Sequence, residues 1–125
     1  MKLTRLFTAL FAIAALSTVA LVADENHEII EKVMKEGLKG DDSPLTKVLD
    51  GDASAKETKD LAKLVKTMEG TKAPKGDQGD YDKLVAELIA AMDAVAAGDT
   101  GDKAIGRLDE ASNCKACHTP HEPKK

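Results

Sequence analysis

The feature that most constrains this chain is a shortage. Only three aromatic residues occur in 125: Phe7, Phe11 and Tyr81, with no tryptophan. Aromatic side chains usually supply much of a small core's buried area, about 150–250 Å² each. A chain this poor in them is badly equipped for a β-sandwich or barrel, which leans on β-branched and aromatic residues. It also lacks the stacking platforms and the basic groove of a single-strand nucleic-acid binder. Hydrophobic residues nevertheless make up 42% and charged residues 32% of the chain. That balance excludes a disordered chain and a multi-span membrane protein, and the length suits one domain.

Both phenylalanines fall in an N-terminal segment with its own logic. Lys2 and Arg5 precede an uncharged stretch from Leu6 to Ala23, and charge returns abruptly at Asp24 and Glu25. This is the pattern of an export signal. Cleavage after Ala20 leaves Thr18 and Ala20 at the small positions; cleavage after Ala23 leaves Leu21 and Ala23. A retained membrane anchor is the competing reading, because the stretch is near the lower limit for a spanning helix. Either way the body of the chain is expected outside the cytoplasm, in the periplasm. Loss of Lys2 and Arg5 takes the net charge from −4 to −6. Such a body repels nucleic acid and anionic membrane. The mature chain, residues 24–125, keeps one aromatic residue, Tyr81.

The body reads as helices. Asn26 can cap a first helix with Ile30, Val33, Met34 and Leu38 on one stripe, ended by Gly37 and Gly40. Residues 40–53 form a connection with Pro44 and a short turn carrying Leu45, Val48 and Leu49. Ser54 and Glu57 make a capping-box pattern that opens a second helix with Leu61, Leu64, Val65 and Met68. A Gly- and Pro-bearing loop follows over 70–79. The third helix starts near Asp80 and shows the strongest periodicity, from Tyr81 through Leu88 and Met92 to Val95, closed by Gly98. The fourth starts near Asp99 or Thr100, carries Ala104, Leu108, Cys114 and His118, and ends at Pro120. No stretch competes as a strand. Four helices with short connections predict an all-α fold, an antiparallel up-down-up-down four-helix bundle. Its narrow, Ala-rich stripes would bury little apolar area on their own.

The last helix ends in Cys114-Lys115-Ala116-Cys117-His118, the C-x-x-C-H attachment motif for haem c. Two thiols three residues apart can reach the two vinyl groups on one porphyrin edge. The adjacent His118 then offers its imidazole to the iron as proximal ligand. These are the only cysteines, so haem would consume both. A thioredoxin-like redox pair would need a βαβ setting that the pattern lacks. A zinc site from Cys114, Cys117, His118 and His121 is awkward, because adjacent Cys117 and His118 suit one tetrahedral ion poorly.

The opposite iron face has several candidates. An up-down-up-down bundle brings the end of helix four beside the start of helix one, the end of helix two and the start of helix three. His27, Met34, Met68 and Tyr81 lie near that end, and Met92 lies nearer mid-helix. His121 follows His118 by three residues and falls on the same side of the iron. Most helical methionines simply fill core.

A C-terminal C-x-x-C-H on the last of four helices resembles the class II c-type cytochromes: cytochrome c′ and its low-spin relatives. The likeness in pattern covers most of residues 26–118. Ala96-Ala97-Gly98-Asp99 and the run from Asn113 to His118 carry it most. Class I cytochromes c place their motif near the N-terminus. The resemblance implies one covalent haem c on Cys114 and Cys117, with its iron on His118. Low-spin members use a helix-one methionine in a Met-Lys-x-x-Gly-like context as the sixth ligand. Val33-Met34-Lys35-Glu36-Gly37 occupies that place, so the resemblance points to Met34. His/Met ligation leaves no open iron position and raises the reduction potential. The expected role is therefore electron transport, a one-electron carrier between redox partner proteins rather than an enzyme. The alternative within the family is a five-coordinate iron that binds nitric oxide or carbon monoxide. Many members form homodimers through the first two helices. The chain departs from the family after His118, where Thr119-Pro120-His121-Glu122 replaces the usual aromatic and basic residues.

Lys56, Lys59, Lys63 and Lys66 form a stripe on helix two. They read as a solvated face paired with Glu57 and Asp60, and as a docking patch for an acidic partner in the sharper reading. Without haem, the mature chain is expected to be loosely packed.

Overall fold

A computed structural model describes the backbone of residues 18–122 and the side chains of residues 25–122. The export segment, with both cleavage alternatives, lies outside the described residues apart from the backbone of 18–23. Every regular element described is helical. No described helix is long and apolar enough to cross a membrane.

The first helix, α1, spans Thr18–Val33. It runs straight through Asn26, so Asn26 is not its cap; the Asn26 Oδ1 instead accepts from the Lys72 backbone N–H, 46 residues away, at 3.1 Å. Gly37 does not end the helix either. A π-helical turn over Met34–Leu38 follows directly, closed by a bond from Lys39 N–H to Met34 C=O at 2.8 Å. Gly37 is buried in that turn, and a Cβ there would stand 3.0 Å from both Leu61 and Leu64 side-chain carbons. The lack of a side chain lets the turn seat closely against the helix that carries those leucines.

The connection over 40–53 holds a true helix, α2, Pro44–Asp50. Ser43 caps it by accepting from Thr46 N–H, and Pro44 starts it where its missing N–H costs nothing. Gly51 ends it at φ +80°, in the left-handed region that suits glycine. The helix α3, Ala55–Lys66, opens with the expected capping box: Glu57 N–H donates to Ser54 Oγ, and Ser54 N–H to Glu57 Oε2 at 2.7 Å. Glu57 is thereby committed to the cap, and Lys56 pairs with Asp60 instead, at 2.6 Å. The longest helix, α4, spans Gln78–Ala96, capped by Asp77 rather than beginning at Asp80.

The expected fourth helix is two. α5 spans Asp102–Ala111, and α6 spans Cys114–His121. The break has a local cause. Asn113 is extended, and its Oδ1 accepts from both Lys115 N–H at 3.0 Å and Ala116 N–H at 3.2 Å. Those bonds satisfy first-turn donors of a new helix. Pro120 lies inside α6 rather than ending it, and the helix stops at Glu122.

The core is aliphatic, built on Val33, Leu61, Val65, Leu88, Met92 and Leu108 with Tyr81 as its one aromatic. α4 is the central element: α3 and α5 lie closely along it, and α6 packs on it as well. α2 lies against the π-turn, α3 and α5. Among the described residues, α1 lies chiefly against the π-turn that follows it, and its end buries Val33 in the core.

Candidate functional site

The motif residues fall together on α6. Cys114, Cys117, His118 and His121 are spaced by three, four and seven residues, which is one stripe of a helix. Asn113 starts the helix one residue before the first thiol, so the motif begins with helix geometry already set. Both cysteines are free thiols; Cys114 is exposed and Cys117 is half-buried against the core. Burial pushes the Cys117 thiol above its usual range, so that sulfur stays protonated at neutral pH.

His118 is about half-exposed, and its Nδ1 lies 3.3 Å from Glu122 Oε2, one turn on. A carboxylate on that side favours the tautomer with Nε2 unprotonated, the usual arrangement for a metal-bound histidine. His121 differs sharply. It is 3% exposed, and its Nδ1 lies 2.8 Å from the Lys75 carbonyl oxygen. Its ring meets Tyr81 edge-on, with centroids 5.5 Å apart and planes at 77°. The sequence placed His121 only in the zinc alternative and did not reveal its structural role. Its i+4 relation to Cys117 was the available signal that it shares the inward face.

Tyr81 sits beneath this stripe, 2% exposed. Thr71 Oγ1 donates its one hydrogen to Met68 C=O at 2.6 Å, so the Tyr81 O–H donates to Thr71 Oγ1 at 2.8 Å. Burial raises the Tyr81 phenol above its ordinary value; the Thr71 bond opposes that rise, and the neighbouring Cys117 and Asp82 add to it. A raised acid pKa means stability that is complete below the unfolded value near 10 and lost as pH climbs through the folded value. Denaturant titrations in a Cys117→Ala background, which removes the likewise raised thiol, should therefore show a fall in stability above about pH 10 that belongs to Tyr81. Tyr81→Phe should remove that alkaline limb and cost about 1 kcal/mol at neutral pH. An alkaline limb that persists in the Phe variant would assign it elsewhere.

The candidates for the opposite iron face separate clearly. Met68 and Met92 are 2% and 1% exposed within the aliphatic core. His27 is exposed on α1, 3.9 Å from Glu31. Tyr81 is engaged with Thr71. Met34 is half-buried at the start of the π-turn, packed against the edge of the core. π-turns of this kind recur at functional sites. The four residues of the zinc alternative point to different surroundings, and no described group of three His, Cys, Asp or Glu side chains converges to hold a metal ion. The lysines of α3 line its exposed face.

No family model, curated protein or solved structure matches the chain.

Proposed function

We propose that this chain is a monohaem c-type cytochrome of the class II kind, a periplasmic one-electron carrier folded as a four-helix bundle around its haem. The observation that carries the reading is the motif and its setting: two free thiols and a histidine, Cys114, Cys117 and His118, on one stripe of a capped helix. Their chemistry fits the group. Neither sulfur is in a disulfide, and the Glu122 carboxylate beside His118 Nδ1 would leave Nε2 as the ligating nitrogen. Cys114 and Cys117 would hold the porphyrin through thioethers, His118 would bind the iron, and Met34 would supply the opposite sulfur. When bound, haem supplies an iron that alternates between Fe(III) and Fe(II).

The protein's own residues do the rest. Glu122, 3.3 Å from His118 Nδ1, orients the imidazole. The buried Tyr81 and His121 would cover one side of the site. Electrons would pass to redox partner proteins near the exposed end of α6, where Cys114 meets solvent. The bundle reading draws support from the close α3–α4–α5 apposition.

One observation favours the alternative of a five-coordinate, gas-binding iron: Met34 already has packing partners at the core edge. Optical spectra decide between them. Expression with haem maturation should give a red protein whose oxidised form shows low-spin bands and the Met-to-iron charge-transfer band. High-spin bands with rapid carbon monoxide uptake on reduction would establish the gas-binding form. A colourless product would overturn both.

A further inference from the structure

His121 stands outside the motif, yet it is the one fully buried side chain of α6. Its Nδ1 faces the Lys75 carbonyl at 2.8 Å. A carbonyl only accepts, so Nδ1 carries the proton and Nε2 a lone pair. That Nε2 is buried and has no hydrogen-bond partner. Gly76, at φ +81°, approaches so closely that a Cβ would lie 2.6 Å from the Pro120 carbonyl oxygen and 3.0 Å from His121 Nδ1. The same loop is tied to α4 through the Thr71–Tyr81 bond and to α1 through Lys72 and Asn26. Residues 71–78 thus join α1, α4 and the end of α6.

We propose that His121 is a positioning residue for the haem-bearing helix: its Nδ1–H bond to Lys75 clamps the end of α6 onto the 71–78 loop and fixes the motif relative to α1 and α4. The proposal rests on the haem reading above. An eight-residue helix is not stable alone, and α6 has only a small apposition to α4 beside its contact with the 75–76 loop. Asn113 holds its first turn, and His121 holds its last. The bare Nε2 is a cost that a leucine of similar bulk would avoid. The Nδ1 proton is what a leucine could not supply.

The test compares the haem-loaded protein with His121→Asn, His121→Gln and His121→Phe. Asparagine offers an N–H near the Nδ1 position, glutamine offers one near Nε2, and phenylalanine keeps the ring without a donor. The readouts are trypsin cleavage after Lys72 and Lys75, and the reduction potential with the low-spin spectrum. The Phe and Gln variants should be cut roughly tenfold faster and should shift the potential. The Asn variant should stay within about twofold of wild type and keep its potential. Failure to load haem in Phe and Gln, with loading kept in Asn, is the same result in stronger form. Three variants that all match wild type would overturn the clamp. So would a Phe variant that matches it, which assigns the role to packing, or Gln rescuing where Asn fails, which assigns it to Nε2. A colourless wild type would overturn the haem reading instead, and the cleavage ranking would still judge the clamp.

Discussion

Replacing both thiols, Cys114→Ala with Cys117→Ala, is expected to give a colourless chain that melts broadly and well below the loaded protein. The reason lies in the core. Its side chains are Leu, Val, Met and Ala with Tyr81 as the single large aromatic. A porphyrin would add apolar surface on the order of 400 Å², worth roughly 10 kcal/mol at about 25 cal/mol per Å². That is comparable to the whole stability of a domain this size. α6, which carries the motif and has a small apposition to α4, should loosen first. Far-UV circular dichroism melts of the variant and the loaded protein make the comparison, and hydrogen exchange locates the loosened helices. A cooperative transition at the loaded protein's temperature would show that side chains alone complete the core.

Met34→Ala is expected to convert the oxidised iron from low-spin to high-spin, to lower the reduction potential and to let carbon monoxide bind the reduced form. Thioether ligation favours Fe(II), so its loss favours Fe(III). The stability cost should be modest, about 1–2 kcal/mol, because Met34 is only half-buried. Met68→Ala provides the contrast. Met68 is 2% exposed in the core, so its loss should cost about 2–5 kcal/mol without changing the spin state. Visible spectra of the two variants, each paired with a denaturant melt, separate ligation from packing. A spin change in Met68→Ala alone would move the ligand to Met68, in the turn just past α3.

Much of the fold was legible in the sequence because its signals are local. Ser54 and Glu57 announce a helix start through bonds they make to their own backbone. The stripe from Tyr81 to Val95 marks the buried face of α4 by its period. The misread stretches also have local causes, but competing ones. Asn26 has the chemistry of a cap, yet its backbone continues a helix and its side chain serves Lys72. The 99–121 stretch has one period, yet Asn113 caps a fresh helix inside it. Pro120 usually ends a helix, and here the last turn of α6 contains it. The π-turn at Met34–Leu38 needs Gly37 against Leu61 and Leu64, a contact that no spacing rule reveals.

The candidate site divides in the same way. Cys114, Cys117 and His118 stand out as a motif in the sequence, because the spacing that would let them hold a haem is local. The sequence also determined the all-helical class, since helical period and caps are properties of neighbouring residues. Only the tertiary structure decided which histidine is buried and which methionines are core. His121 looks in sequence like a spare imidazole beside His118. It becomes the anchored one because the 71–78 loop, more than forty residues earlier, folds back to offer it the Lys75 carbonyl. Burial and hydrogen-bond partners are set by chain segments distant in sequence, and no local pattern encodes them.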